Sequence, residues 1–197
     1  MLDYIETLDR TLFFLINENH NPFWDSFMLF ISSKYSAIPL YFYLLYLFYQ
    51  STGVKGTIIT VLFALLVILL CDRISVIAFK DVFERYRPCH NLEISTLVHI
   101  VNNKCGGLYG FVSSHATNVF GITSFSIVIL NPFRFTEKIK EKIIGFLLII
   151  WAILVCYSRV YLGVHYPFDV ISGGLLGILL GTLVGFLRSY VKSIIVS

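Results

Sequence analysis

Charged residues are scarce in this chain, making up 14% of 197 residues against about 25% in ordinary soluble domains. The chain is instead 57% hydrophobic, with a mean hydropathy of +0.79. These values exclude the soluble globular, disordered and collagen-like classes. The formal net charge of +3 is too small to favour nucleic acid as a partner.

Two further patterns are missing. The four cysteines form no C-x-x-C pair, so neither a zinc ribbon nor a thioredoxin-type redox site is predicted. No basic segment precedes the first apolar run, where Asp3, Glu6 and Asp9 stand instead. A cleaved signal peptide is therefore not expected.

Long apolar runs dominate what is present. A membrane-spanning helix needs about 20 apolar residues. Five segments meet or approach that length: 36–50, 54–79, 111–130, 143–162 and 166–187. A sixth crossing stays open near 23–35, and apolar spacing within 3–17 predicts an amphipathic interfacial helix over 1–20. The prediction is an all-α membrane helix bundle of five to six transmembrane helices in a single domain, 1–197.

Glycines recur at every fourth position of the last segment: Gly173, Gly177, Gly181 and Gly185. Small residues at this spacing let two helices approach closely. Two interpretations follow. The favoured one is packing within the bundle, and the other is a seam between two copies in a homodimer.

Basic residues are divided unevenly between the two ends of the predicted bundle. One end, which also holds the cluster described next, has three: Lys34, Arg85 and Lys104. The other end has seven: Lys55, Arg134, Lys138, Lys140, Lys142, Arg188 and Lys192. Cytoplasmic loops carry the excess of Lys and Arg. We therefore expect the first end to be extracytoplasmic. The membrane would be the plasma membrane, that is, the inner membrane of a bacterium.

Three cations gather where predicted helix ends meet at this extracytoplasmic end. Lys80 and Arg87 are seven residues apart and are predicted to share one helix face. Arg159 closes another predicted span. Three cations in one place favour an anion of more than one charge, and a phosphate group fits. The nearby Asp81 and Arg85 are expected to form a simple i,i+4 ion pair with little effect on function.

Histidines and serines join these cations. His165 and Asp169 are four residues apart, so the carboxylate can accept from one imidazole nitrogen and leave the other free as a nucleophile. Ser113 and Ser114 are predicted to cap the helix that carries His115. Their hydroxyls and free backbone N–H groups would face the same anion.

Three motifs thus follow one another along residues 80–169: Lys80-x6-Arg87-Pro88, Ser113-Ser114-His115 and Ser158-Arg159-x5-His165-x3-Asp169. Together they resemble the signature of the type 2 phosphatidic acid phosphatase (PAP2) superfamily, which includes membrane lipid phosphatases and, more distantly, soluble vanadium haloperoxidases. The membrane pattern disfavours the latter. One departure is that the family's Pro-Ser-Gly-His reads Val112-Ser113-Ser114-His115 here. The change adds a side chain where backbone N–H groups should meet phosphate.

The resemblance implies a role for each motif residue. His165 would attack phosphorus and form a phosphohistidine, Asp169 would orient it, and His115 would protonate the leaving oxygen. Five residues would hold the phosphoryl oxygens: Lys80, Arg87, Arg159, Ser113 and Ser114. The resemblance implies no metal and no cofactor. The substrate would be a phosphorylated lipid of the bilayer: undecaprenyl diphosphate, phosphatidylglycerol phosphate, phosphatidic acid or lipid A.

Other functions fit parts of the pattern. Charges at membrane depth also mark transporters, but here they cluster at one end, and no inverted repeat is found. A zinc site is a second alternative, although its spacing matches no standard pattern. Its candidate ligands are Cys89, His90, His99 and Cys105. A non-catalytic lipid-binding protein would not need the complete set of motif residues.

The connection 88–110, called loop 88–110 below, is predicted to cover the site like a lid. Cys89 and Cys105 lie within it on the oxidising side of the membrane, where we expect a disulfide. The alternative is two free thiols in a flexible loop. Cys71 and Cys156 lie within predicted spans and should stay reduced.

Overall fold

The computed structural model describes residues 2–131 and 139–196, and every regular element in these ranges is a helix. The helices are α1 (Leu2–Asn17), α2 (Pro22–Ser32), α3 (Lys34–Ile74), α4 (Asp81–Phe83), α5 (Ser114–Leu130), α6 (Ile139–Tyr161) and α7 (Pro167–Val196). A π-helical turn, Ser75–Lys80, joins α3 to α4, and two 3₁₀ turns lie in loop 88–110. The predicted all-α fold is confirmed. Of the predicted cytoplasmic cations, Arg134 and Lys138 lie outside the described residues.

The long helix α3 is two helices joined at Gly53. This residue has φ 65° and ψ −176°, which glycine adopts without the steric cost of a side chain. A straight helix would separate Leu44 from Leu65 by about 32 Å at 1.5 Å per residue. Both side chains nevertheless line one cavity of about 220 Å³. The chain therefore folds back at Gly53, in agreement with the predicted break between segments 36–50 and 54–79.

Three helices in the described part of the chain are long and apolar enough to cross a membrane: Lys34–Phe83, Lys142–Tyr161 and Pro167–Val191. Ser114–Leu130 is a shorter apolar helix. The first of these helices folds back on itself and can supply two crossings, and the total of five stays a prediction. Helix α2 has 11 residues and is about 17 Å long. It is too short to form the sixth crossing alone, since a hydrocarbon core is about 30 Å thick.

The glycine stripe of α7 packs against α5. A Cβ added to Gly173 would lie 2.6 Å from the Ser113 carbonyl oxygen, and one added to Gly181 would overlap the Gly121 carbonyl. The other two glycines of the stripe also pack against α5, Gly177 against the Thr117 carbonyl and Gly185 against the Val128 side chain. The stripe packs within one chain, as the favoured interpretation requires, and the homodimer stays a prediction. The close packing also sets the first turns of α5 and α7 side by side.

Helix α1 turns polar side chains inward. Tyr4 and Leu15 are largely exposed, whereas Asp9 and Asn17 are fully buried. Asn17 Nδ2 donates to the carbonyl of His99 at 2.9 Å, and the His99 N–H donates to Asn17 Oδ1 at 2.9 Å. Helix α1 therefore anchors loop 88–110, and its location in the membrane interface stays a prediction.

Candidate active site

His165 lies between α6 and α7, and Asp169 lies in the first turn of α7. Pro167 begins that helix, a position where its missing N–H costs no hydrogen bond. Nδ1 of His165 is 3.4 Å from Asp169 Oδ2, and Nε2 is 3.3 Å from Nη1 of Arg87. A guanidinium only donates, so Nε2 accepts and Nδ1 carries the ring proton. This tautomer leaves the Nε2 lone pair facing Arg87.

The surroundings of His165 keep its ring neutral. The side chain is 1% exposed. Burial, followed by the positive charges of Arg87, Arg159 and Lys80, lowers the pKa of His165 well below its ordinary value of 6.5. A neutral imidazole has the lone pair that a nucleophile needs.

Arg87 reaches His165 from an extended segment. The preceding helix ends at Glu84, whose φ of 44° is left-handed, and residues 85–87 then pair with 108–110 through an antiparallel bridge. The prediction that Lys80 and Arg87 share one helix face is therefore wrong, because the helix does not continue between them. The Arg87 guanidinium donates to three backbone carbonyls, at 3.2 Å to Tyr109 and 3.4 Å to Cys105 and Val164.

Lys80 ends the π-helical turn Ser75–Lys80, an unusual conformation that is frequent at functional sites. Its Nζ is 2.7 Å from Oγ of Ser114, and that hydroxyl is 2.8 Å from Oγ of Ser75. The serine that replaces the family's usual glycine is therefore in contact with the lysine expected to hold phosphate.

Ser113 occupies the N-cap position of α5, but its hydroxyl makes no capping hydrogen bond. Its N–H donates to the Asp169 carbonyl at 3.0 Å. The predictions that Ser113 caps the helix by its side chain and offers a free N–H are therefore wrong. Its Oγ is buried and has no hydrogen-bond partner among the described residues.

His115 and Arg159 line two adjoining cavities. His115 is exposed to a cavity of about 260 Å³ between α2, α3, α5 and α6, which Lys34 and Asn118 also line. Arg159 lines a second cavity of about 280 Å³, and its Nη1 donates to Oγ of Ser32 at 2.6 Å. Ser32 lines both cavities, so they meet at this residue.

The expected Asp81–Arg85 pair is not formed. Arg85 instead bridges Asp9 of α1 and Asp169 of α7, at 2.7 Å to each, and both carboxylates are fully buried. The guanidinium also lies 4.3 Å from the ring centroid of Tyr166. Asp9 is 76 residues away in sequence, so no local spacing could reveal this contact.

Loop 88–110 covers Arg87. The structure joins Cys89 to Cys105 by a disulfide, with Cα atoms 6.1 Å apart, and Cys71 and Cys156 are free and buried. Gly106, at φ 96°, passes so close that an added Cβ would lie 3.3 Å from Nη1 of Arg87. The loop therefore limits where this guanidinium can go.

Of the four candidate zinc ligands, the structure brings only three together, and His99 is not among them. The ligand atoms of Cys89, His90 and Cys105 lie within 4.8 Å of one another. His99 instead contacts Asp25, with Nε2 3.1 Å from Oδ1. Cysteines joined in a disulfide also offer no thiolate to a metal.

Comparison with known proteins shows the family to which the chain belongs. The family model described as the PAP2 superfamily matches residues 60–192. The chain is 31% identical to the lipid A 4'-phosphatase of Bacteroides thetaiotaomicron, over 90% of this chain and 75% of the relative. It is 32% identical to the lipid A 4'-phosphatase of Porphyromonas gingivalis, over 90% of this chain and 71% of the relative.

A solved structure shares the fold. The crystal structure of a transmembrane PAP2-type phosphatidylglycerolphosphate phosphatase from Bacillus subtilis has a TM-score of 0.71 and 22% identity, over 95% of this chain and 87% of that one. The match to the family model and the two relatives show that the chain belongs to the PAP2 superfamily. It is a membrane-bound enzyme of the phosphoric ester hydrolase class.

Proposed function

We propose that this protein is a membrane lipid phosphatase that removes phosphate from a phosphorylated lipid through a phosphohistidine. One observation carries the proposal. His165 presents Nε2 to Arg87, with Lys80 and Arg159 close enough to act on its charge. None of these three, called the clamp cations below, forms an ion pair in the described part of the chain. Cations without counter-ions beside a neutral nucleophile suit a dianionic phosphate.

The reaction would proceed in two displacements. The Nε2 lone pair of His165 forms a bond to phosphorus while the bond from phosphorus to the leaving oxygen breaks and His115 protonates that oxygen. Asp169 stabilises the positive charge that develops on the ring. Water then attacks the phosphohistidine, His115 accepts its proton, the P–N bond breaks and inorganic phosphate leaves. The clamp cations stabilise the phosphoryl oxygens throughout, and this is why we expect no metal requirement.

We propose that the leaving group binds in the cavity lined by His115, because His115 is the proposed general acid and must face the leaving oxygen. Asn118 Oδ1 and Trp151 Nε1 are buried without hydrogen-bond partners in the described residues, and both side chains line this cavity. An unmet acceptor and an unmet donor suit a leaving group that carries hydroxyl or amide groups. This chemistry favours a glycolipid phosphate such as lipid A over phosphatidic acid. The lipid A 4'-phosphatases among the relatives support the same choice.

The direct test is phosphate release by the purified protein from four lipids: lipid A, undecaprenyl diphosphate, phosphatidylglycerol phosphate and phosphatidic acid. We expect lipid A to be hydrolysed fastest and a chelator to have no effect. His165→Ala is the matched inactive control, and Asn118→Ala should slow lipid A hydrolysis selectively. Absence of release from all four lipids would contradict the proposal and favour its alternatives, a transporter or a non-catalytic lipid-binding protein.

We further propose that the chain acts as one domain, 1–197, with its site on the extracytoplasmic face of the bacterial inner membrane. The contact of α1 with α7 through Arg85 supports the single domain. Lys55 and Leu92 lie at opposite predicted ends, and both are exposed. A cysteine at 92 should react with a membrane-impermeant thiol reagent in intact cells, and one at 55 only after permeabilisation. The reverse pattern would overturn the orientation.

A further inference from the structure

We propose that Arg85 and Asp9 are positioning residues for Asp169, so that helix α1 completes the active site. The inference rests on the proposed function, in which Asp169 supports the nucleophile His165. Neither Arg85 nor Asp9 belongs to the three sequence motifs. Their contacts with one another and with α7 carry the proposal.

Both oxygens of Asp169 are held. Oδ2 accepts from the Tyr166 N–H at 3.1 Å and lies 3.4 Å from Nδ1 of His165. Oδ1 accepts from Nη1 of Arg85 at 2.7 Å, its one side-chain partner among the described residues. Asp169 is fully buried. Loss of Arg85 would therefore leave Oδ1 of Asp169 buried without a hydrogen-bond donor. An unpaired buried acceptor is costly, so we expect the Asp169 side chain to move.

Arg85 is in turn held by Asp9. Nη2 of Arg85 donates to Oδ2 of Asp9 at 2.7 Å, and Oδ1 of Asp9 accepts from the Phe168 N–H at 2.9 Å. Phe168 lies in the first turn of α7, where backbone N–H groups lack partners within the helix. One carboxylate from α1 thus fixes both the arginine and the helix end that orient Asp169.

The charges of this network are interdependent. Burial raises the pKa of Asp9, and the hydrogen bonds from Arg85 and Phe168 oppose that rise. Without the guanidinium, two buried carboxylates would face each other uncompensated, and one of them would take up a proton. A protonated Asp169 could not stabilise the charge that develops on His165. The acid limb of kcat/KM would then move to higher pH, whereas loss of a merely structural arginine would not move it.

The test uses the full-length protein in detergent with three variants: Arg85→Ala, Arg85→Lys and Asp9→Asn. Arg73→Lys and Asp81→Asn are matched controls, because both residues are exposed. We expect Arg85→Ala to lower kcat about 10²-fold, the scale of a misplacement of about 1 Å, with KM little changed. Its acid limb should shift upward, and guanidinium ion should restore part of the rate. Asp9→Asn should lower kcat less than Arg85→Ala does, because Arg85 keeps its contact with Asp169, and the controls should match the wild type.

A second measurement does not depend on turnover. Spectra of ¹⁵N-labelled histidine report which ring nitrogen carries the proton, and the His165 signal is identified by its absence in His165→Ala. We expect a change in this signal in the two conservative variants, Arg85→Lys and Asp9→Asn, once size-exclusion chromatography shows that they are folded. Wild-type kcat, pH profile and histidine spectrum in these variants would overturn the proposal. Inactivity of the wild type towards every lipid, with the spectrum still responding to Arg85→Lys, would contradict the proposed function alone.

Discussion

The two sides of His165 differ in how their charges are compensated. On one side the clamp cations have neutral partners, as where Lys80 donates to the Ser114 hydroxyl. On the other side lie Asp9, Arg85 and Asp169, called the support network below, in which Arg85 bridges both carboxylates, so that each charge contacts an opposite one. A buried charge without a counter-ion is costly. It persists on the clamp side because, in our proposal, the substrate supplies the missing negative charge.

This difference separates residues that stand almost side by side in the sequence. Arg85 and Arg87 are two positions apart in one extended segment, where alternate side chains lie on the same face, yet they contact different partners. Arg85 contacts two carboxylates, and Arg87 contacts three carbonyls and the imidazole of His165. Of these two arginines, the one with partner carboxylates belongs to the support network, and the one without them is the proposed ligand-binding group.

The largest effect is expected from substitution of His165, which lies between the clamp cations and the support network. His165→Ala should abolish turnover, because no other nucleophile is available to form the phosphohistidine. Asp169→Asn should retain some activity, because its proposed role is to orient and stabilise. Both are measured as phosphate release after size-exclusion chromatography shows a folded protein. A His165→Ala variant with the wild-type rate would invalidate the assignment of the site.

The next effect tests the clamp side. Arg87→Lys should lower the rate by about 10²–10³, the cost of removing one donor to a developing anion. A lysine keeps the charge but cannot reproduce the fork of donors that an arginine presents to phosphate. Arg73→Lys is the matched control, since Arg73 is exposed in the same part of the chain. Near-normal hydrolysis by Arg87→Lys would show that charge alone is sufficient at this position.

Several features of the fold and of the site could be predicted from the sequence. Apolar run lengths predicted the helices, and the break before 54 predicted the reversal at Gly53. The i,i+4 spacing of His165 and Asp169 correctly placed both residues on one side of a helix start. These features are local, and short-range geometry determines them.

The support network could not be predicted, because its contacts join α1, the segment 85–87 and α7. Arg85 was assigned to Asp81 on helical spacing, and that spacing fails once the helix ends at Glu84. The same helix end invalidates the predicted shared face of Lys80 and Arg87. Long-range pairing of charges therefore needs the three-dimensional packing, even where each motif is recognisable.

A smaller effect concerns pH. Burial and the clamp cations lower the pKa of His165 well below 6.5, so the nucleophile stays neutral in mildly acidic solution. We expect the acid limb of kcat/KM, which reports the free enzyme, to lie below pH 6.5 after correction for ionisation of the substrate phosphate. The unfolded chain binds this proton at the ordinary pKa, so stability should fall as the pH drops below 6.5. An acid limb at or above that pH would contradict the described environment of His165.

The smallest effect on rate is expected from the Cys89–Cys105 disulfide, which meets the site through the backbone carbonyl of Cys105, an acceptor for Arg87. It spans 16 residues, and a loop of about that length gives a chain-entropy stabilisation of about 3 kcal/mol. Reduction should therefore lower the melting temperature in detergent.

Catalysis should change little on reduction, because the hydrogen bonds between Asn17 and His99 still hold loop 88–110 to α1. Intact mass after alkylation, with and without reductant, measures the bridge directly. Cys71 and Cys156 serve as internal controls, since both are free. Four alkylated thiols in unfolded protein prepared without reductant would show that the bridge does not form. A large loss of activity on reduction, with the fold retained, would instead mean that the disulfide itself keeps Arg87 in place.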